Sequence, residues 1–250
     1  MRKSILSLSL AAALGVPALA AAQQAAAPTP LVAGNMSLVS EYRFRGIDQT
    51  FGKPALQGGF DYNHSSGVYL GNWNSNVSEG AGYPGSNLEM DFYGGWKKSF
   101  GDFGLDIGAI YYAYPGTDPK VDNKEIYIGG TWKFLSAKYF HSIDDYFSVA
   151  NTKNSWYLDL GLTWDLGNGW GLVAHYGMFE FKNINNGDYN DWKLGITKDL
   201  GGWVLGAAYV DTDAKGNCGT AEPYCFQNDN ATKTRDAGRS TIVFSVAKTF

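Results

Sequence analysis

The sequence predicts an all-β fold, a transmembrane up-and-down antiparallel β-barrel of about 12 strands with both chain ends on its short-turn, periplasmic side. Three observations carry that prediction. Apolar and polar residues alternate with a period of two in segment after segment from Met36 to Phe250. The connections between these segments alternate between short and long. The last ten residues, Thr241 to Phe250, make an amphipathic strand that stops on an aromatic. Ile242, Phe244, Val246 and Phe250 share one side of it, and Thr241, Ser245, Ala247 and Thr249 the other. Lys248 interrupts the apolar row.

The segments read as follows. Residues 1–22 read as a secretory signal peptide. A basic start (Arg2, Lys3) precedes the apolar stretch Ile5 to Leu19, and small-x-small cleavage sites end it. The stretch is short and Ala-flanked, which argues against a membrane anchor. Residues 23–34, with Ala25-Ala26-Ala27-Pro28-Thr29-Pro30, read as a flexible leader. The barrel is expected over 35–250. Met36, Leu38, Tyr42 and Phe44 alternate with polar residues in the first strand, and Leu56, Phe60 and Tyr62 in the second. Tyr69, Trp73 and Val77 form the apolar side of the third, opposite Asn72, Asn74 and Asn76. Further strands centre on Phe92, Ile107, Ile128, Tyr139, Leu160, Ala174, Leu194 and Leu205, and the terminal strand closes the set. Short turns are predicted at 63–67, 99–102, near Phe134, 167–169 and 199–202. Longer loops are predicted at 48–53, 79–86, 115–123, 144–154, 183–190 and 211–238. A faint hairpin repeat agrees: Thr163-Trp164-Asp165-Leu166-Gly167 matches Thr197-Lys198-Asp199-Leu200-Gly201 at a spacing of 34 residues.

Composition fits. Glycine is high, at 32 residues, and aromatics are abundant, with 8 Trp, 16 Tyr and 14 Phe. A lipid-facing belt needs interfacial aromatics, and crowded strands need small residues. The slightly negative mean hydropathy is no objection, because half of each strand faces water. Past the first 22 residues, no apolar run is long enough for a membrane helix. The net charge of −4 becomes −6 without Arg2 and Lys3, and no basic stripe appears, which argues against nucleic acid as a partner. The soluble rival is a β-sandwich or lipocalin-like barrel. Against it stand Trp96, Trp132, Trp164, Trp192 and Trp203 near strand ends, as in an interfacial girdle, and charges in mid-strand on the opposite face.

The run Ser37-Leu38-Val39-Ser40-Glu41-Tyr42-Arg43-Phe44-Arg45-Gly46-Ile47, followed by Gln49-Thr50 and Lys53-Pro54-Ala55-Leu56-Gln57-Gly58-Gly59-Phe60-Asp61-Tyr62, resembles the opening of the TorF family of porins. Gly71-Asn72-Trp73-Asn74-Ser75-Asn76-Val77 and the terminal Phe250 also resemble that family. The resemblance implies a Gram-negative outer-membrane, channel-like barrel and says little about its solute. The loop 211–238 looks like an insertion that would alter access to a pore.

Glu41, Arg43 and Arg45 are the sharpest candidate site, because residues two apart on a strand share a face. They are expected to form a charged ladder in the lumen that a permeating solute meets. The alternative is a structural network in which the arginines pair with Asp61, Glu89 or Asp91 and fill the interior. Lys97, Lys133, Asp159 and Lys193 are the further lumen charges. Asn72, Asn74 and Asn76 would add an amide row able to line a water path, or simply a hydrated face. Cys218 and Cys225, with six residues between them in a polar loop, are expected to form a local disulfide, since no third ligand favours a metal. No cofactor and no catalytic residue are expected: the three histidines, His64, His141 and His175, show no nucleophile motif beside them. Phe250 would serve as an assembly signal, bringing the barrel-assembly machinery to the C-terminal strand. Outer-membrane lipid and small solutes are the other expected partners. The expected function is passive diffusion of small hydrophilic solutes, or else a non-conducting barrel with a structural or surface-interaction role.

Overall fold

The computed structural model describes residues 31–250, so the expected signal peptide (1–22) and most of the expected leader (23–34) lie outside the described residues. Twelve strands form a closed antiparallel barrel. They are β1 Val32–Val39, β2 Ala55–Asn63, β3 Val68–Asn76, β4 Leu88–Phe100, β5 Phe103–Ala113, β6 Asp122–Trp132, β7 Leu135–Ser142, β8 Trp156–Gly167, β9 Trp170–Glu180, β10 Tyr189–Asp199, β11 Trp203–Thr212 and β12 Thr241–Thr249. Each strand pairs with its neighbours in sequence, and β1 closes the ring on β12. Strand β1 begins at Val32, inside the stretch read as leader. Among the described residues, helix is confined to three single 3-10 turns, Glu79–Ala81, Tyr146–Ser148 and Cys218–Thr220.

The period of two sets the faces. Leu38, Leu56, Phe60, Ile128, Leu194 and Phe244 stand outward and are exposed, Leu56 at 61%. Ser37, Gln57, Glu89, Asp106, Glu125 and Asp191 stand inward and are buried. A sheet with a greasy outside and a polar inside inverts the soluble pattern, and suits a hydrocarbon solvent. Tight turns join the strands at one end. In the β8–β9 turn, Asn168 and Gly169 both take positive φ (54° and 76°), the backbone a two-residue hairpin needs to match strand twist. A β-bulge between Asp165 and Gly167 precedes it.

The structure departs from the expected alternation in two places. Strand β1 ends at Val39, so Tyr42 and Phe44 are not lipid-facing; they are buried at 1% and 8%. In β3 the phase is reversed. Tyr69 and Trp73 point inward and are buried, while Val68 and Leu70 point outward. Asn72 therefore lies opposite outward Phe60 and Phe92, with Asn74 and Asn76 on the same outer face. The amides are satisfied there. Asn72 Nδ2 donates to the Asp91 carbonyl (3.0 Å) and Asn74 Nδ2 to Asn72 Oδ1 (2.6 Å). Asn76 Oδ1 accepts from Leu56 N (2.8 Å). The third strand thus trades apolar surface for amides that answer one another and the backbone.

The seam is built by the chain's last residue. Gly34 N donates to the Phe250 carbonyl (2.7 Å), and Phe250 N donates to the Gly34 carbonyl (2.9 Å). The Phe250 ring lies over Gly34 and meets Phe60 edge-on at 6.5 Å. A Cβ at position 34 would come within 2.5 Å of that ring. Gly34→Val is therefore expected to destabilise the β1–β12 seam by about 1–3 kcal/mol through overpacking. A drop in the temperature at which the folded band disappears on unheated SDS gels checks it; an unchanged temperature contradicts it.

Candidate functional site

The interior is organised by a segment the sequence places on the wall. Residues 40–54 join β1 to β2, and instead of standing above the barrel they fold back into its lumen. Every residue from 41 to 50 is buried. A minimal hairpin pairs Arg43 with Asp48 and Phe44 with Ile47. Its turn is made by Arg45 and Gly46, both at positive φ (49° and 80°). Glu41, Arg43 and Arg45 are thus interior, as expected, but they belong to an inserted segment and not to a strand.

Arg45 anchors it. Its guanidinium forms a two-pronged ion pair with Glu125 of β6, Nη1 to Oε1 at 2.9 Å and Nη2 to Oε2 at 2.7 Å. It lies over the rings of Tyr157 (4.4 Å), Phe44 (4.8 Å) and Phe140 (5.1 Å). Tyr112 donates to Glu125 Oε2 (3.2 Å), and Tyr189 donates to the Arg45 carbonyl (3.0 Å). A buried guanidinium is tolerated only where its charge and donors are met in this way.

Glu41 and Arg43 pair with each other and reach the long loop between β11 and β12. Arg43 Nη1 donates to the carbonyls of Gly46 (3.0 Å), Ala237 (2.9 Å) and Arg239 (3.0 Å). Arg239 returns to Glu41 Oε2 (2.6 Å) and Asp48 Oδ2 (3.2 Å). Tyr42 donates to Glu89 Oε1 (2.8 Å), and Tyr114 donates to the other oxygen (2.9 Å). Burial pushes the Tyr42 phenol well above its usual range, so it stays a donor. Tyr146 and Phe147, from the β7–β8 loop, pack onto Phe44 and Arg45. The long-loop half of the lumen is therefore filled. Two further ties hold the rim: Cys218 and Cys225 are disulfide-bonded, Cα to Cα 5.0 Å, and Asp229 pairs with Lys53 at 2.8 Å. Hydrogen bonds from Lys53 and Ser78 hold the Asp229 carboxyl below the usual carboxylate range.

Beneath the inserted segment, charges of both signs line the wall. Lys97, Asp106, Gly129, Lys138, Asp159, Gly177 and Asp191 are successive partners across β4 to β10. Lys138 pairs with Asp106 at 2.6 Å, and Tyr69 donates to the other Asp106 oxygen at 2.6 Å. His175 lies between Asp159 (3.0 Å) and Asp191 (2.7 Å), and Tyr157 donates to Asp191 at 2.8 Å. Tyr93 donates to Asp61 (2.7 Å), and Lys97 donates to Asn63 (2.9 Å). Lys193, opposite His175 on β10, lines a cavity of about 110 Å³ together with Arg43, Asp191 and Thr197. Asp91 is fully buried beside Glu89, and neither of its carboxylate oxygens has a hydrogen-bond partner.

Thus Glu89, Asp91, Asp61, Lys97, Asp159 and Lys193 face inward as expected. Asn72, Asn74 and Asn76 do not, for the reason given above. Lys133 does not either: it occupies the β6–β7 turn at positive φ (55°), with its ammonium over the outward Trp132. The interior groups not singled out in the sequence are Asp106, Glu125, Lys138 and Asp191 on the wall, and Asp48, Tyr146 and Arg239 on loops. The wall residues fall on the polar side of the alternation and were findable by it; the loop residues carry no periodic signal.

The Gcw_chp family, described as bacterial proteins of unknown function, matches residues 22–250. The chain belongs to that family. A comparison with curated protein sequences finds no match. Among solved structures, the fold is similar to the KdgM porin (TM-score 0.52, 7% identity, covering 88% of this chain and 97% of that one). It is also similar to the NanC porin (TM-score 0.53, 8% identity, covering 88% and 98%). A further KdgM structure, in complex with disordered oligogalacturonate, matches equally well (TM-score 0.52, 7% identity, covering 88% and 97%). At such identities the likeness is one of fold.

Two outcomes follow from the interior. Glu125→Gln leaves Arg45 buried without its counter-charge, so a loss of about 3–5 kcal/mol is expected. It would be read as earlier thermal unfolding by circular dichroism and faster proteolysis between residues 40 and 54. Asp91→Asn removes a carboxyl buried against the Glu89 carboxyl, where two like charges cannot both be held, and is expected to raise the unfolding temperature. A lower unfolding temperature for this variant contradicts the burial described.

Proposed function

We propose that the protein is a porin-like channel of the Gram-negative outer membrane, passing small hydrophilic solutes by diffusion. Its short turns and both chain ends face the periplasm. The observation that carries this reading is the partition of the closed barrel. Apolar side chains cover the outside, and charges line the inside, including the hydrogen-bonded Lys97, Asp106, Lys138 and Asp159, with Lys193 beside them. The fold likeness to the KdgM and NanC porins supports it, since barrels of this build serve as porins there. The resemblance of the first hairpin to TorF porins points the same way. The reading assigns no catalytic step. It makes lipid, small solutes and the barrel-assembly machinery the partners, the last through the strand ending at Phe250.

Solute selection falls to the wall charges below the inserted segment, with Asp61, Glu89 and Asp91 beside them. Cations and anions alternate there, so the field favours polar solutes over ions of one sign. The filled long-loop half favours a second reading, a barrel that does not conduct, because residues 41–50 stand across the path. Conduction requires that segment to move aside.

Planar-bilayer recordings on the purified protein separate the two. For a channel, the folded wild type gives discrete steps, and Arg45→Ala, which frees the segment from Glu125, gives larger ones. Silence of both proteins, with the barrel folded by circular dichroism, favours the non-conducting reading.

A further inference from the structure

The lysines at the two rims of the barrel are treated differently. At the long-loop rim, those beside strand ends are neutralised by carboxylates. Lys120 pairs with Asp122 at 2.6 Å, Lys124 with Asp144 at 3.0 Å, and Lys182 with Glu180. Among the described residues, no lysine at the short-turn rim is paired with a carboxylate. Each instead holds its ammonium over an aromatic ring: Lys98 over Phe100 at 5.5 Å, Lys133 over Trp132 at 4.9 Å, Lys198 over Trp170 at 4.9 Å and Lys248 over Trp203 at 4.8 Å.

These couples face out of the barrel. Lys98 lies opposite Leu105, Lys198 opposite Trp170 and Leu205, and Lys248 opposite Met36 and Trp203, all on the outer face. They sit on β4, the β6–β7 turn, β10 and β12, and so are spread around the ring. Of the acids at this rim, Asp199 accepts from Gly202 N at 2.7 Å. Lys198 gives one hydrogen to the Asn168 carbonyl at 2.7 Å.

We propose that the short-turn rim is a belt that binds the headgroups of anionic phospholipids. The proposal rests on the membrane reading above. An aromatic ring at the edge of an apolar belt sits at headgroup depth. A lysine lying across that ring keeps its stem on apolar surface and its ammonium at the polar boundary. The remaining N–H donors then point to where phosphodiester oxygens lie, and a negative headgroup supplies the missing counter-charge. The opposite rim has already met its strand-end lysines with carboxylates, so the preference belongs to one leaflet.

Tryptophan quenching by brominated lipid tests this, because Trp132, Trp170 and Trp203 stand beside three of the four lysines. The purified protein is reconstituted in phosphatidylcholine vesicles containing either dibrominated phosphatidylglycerol or dibrominated phosphatidylcholine. The expected result is an apparent association about fivefold stronger for the anionic lipid, as for one lysine per headgroup. Replacing the four lysines by Gln (Lys98→Gln, Lys133→Gln, Lys198→Gln, Lys248→Gln) is expected to abolish the preference, and replacing them by Arg to retain it. Lys120→Gln with Lys124→Gln and Lys182→Gln, at the other rim, is expected to leave it unchanged. Wild type that inserts yet is quenched equally by both lipids overturns the belt alone. So does a preference that survives the four Gln substitutions. Protein that fails to enter the vesicles at all overturns the membrane reading and the belt with it.

Discussion

Hydrocarbon offers no partner to a backbone amide, and in the membrane reading proposed above that constraint governs the rest of the molecule. A sheet with free edges would leave a row of N–H and C=O groups unmet, at several kcal/mol each. The chain meets it by returning β12 to β1, and the pairing of Gly34 with Phe250 finishes the ring. Once the edge is gone, alternation does the sorting. One set of side chains must suit lipid and the other must share a narrow interior. Glycine at position 34, the Asn168–Gly169 turn and the aromatic couples near the short turns are local answers to that closure.

The interior has the opposite problem. Many inward positions are charged, and charges removed from water need partners at hydrogen-bond distance. The wall supplies some of them across strands, as Lys138 and Asp106 or His175 with its two aspartates show. The inserted segment supplies the rest. Arg45 answers Glu125, Tyr42 answers Glu89, and Arg239 from the longest loop answers Glu41 and Asp48. The same contacts that hold the segment also fill the long-loop half of the lumen, so in the channel reading proposed above stability of the interior and permeability oppose each other. Asp91, buried without a hydrogen-bond partner, marks the one wall carboxylate for which this matching is incomplete among the described residues.

Much of this was legible in the sequence. Alternation found all twelve barrel strands, and the short and long connections in their order. The disulfide between Cys218 and Cys225 followed from spacing and polar surroundings. The misreadings have physical causes. Tyr42, Arg43, Phe44 and Arg45 keep a period of two, so they resemble an extension of β1. Only the positive φ of Arg45 and Gly46 turns them inward, and a non-glycine at positive φ is not announced by pattern. In β3, Tyr69 and Trp73 looked like lipid-facing aromatics. They pack inside instead, Trp73 edge-on to Tyr42 at 5.5 Å, and the asparagines take the outer face. Loop partners such as Tyr146 and Arg239 lie far along the chain from the segment they hold, and no local periodicity points to them.

The most direct measurement is the solvent phase of β3, where sequence alternation and folded structure disagree. Nitroxides placed singly at positions 72 to 75 in the bilayer-reconstituted protein report which side meets lipid, through collision with oxygen against a water-soluble nickel chelate. Oxygen access should peak at 72 and 74 and fall at 73 and 75, with position 128 on β6 matching the former pair. Peaks at 73 and 75, or equal nickel access at all five positions, would contradict a barrel with Trp73 inside and hydrocarbon around it.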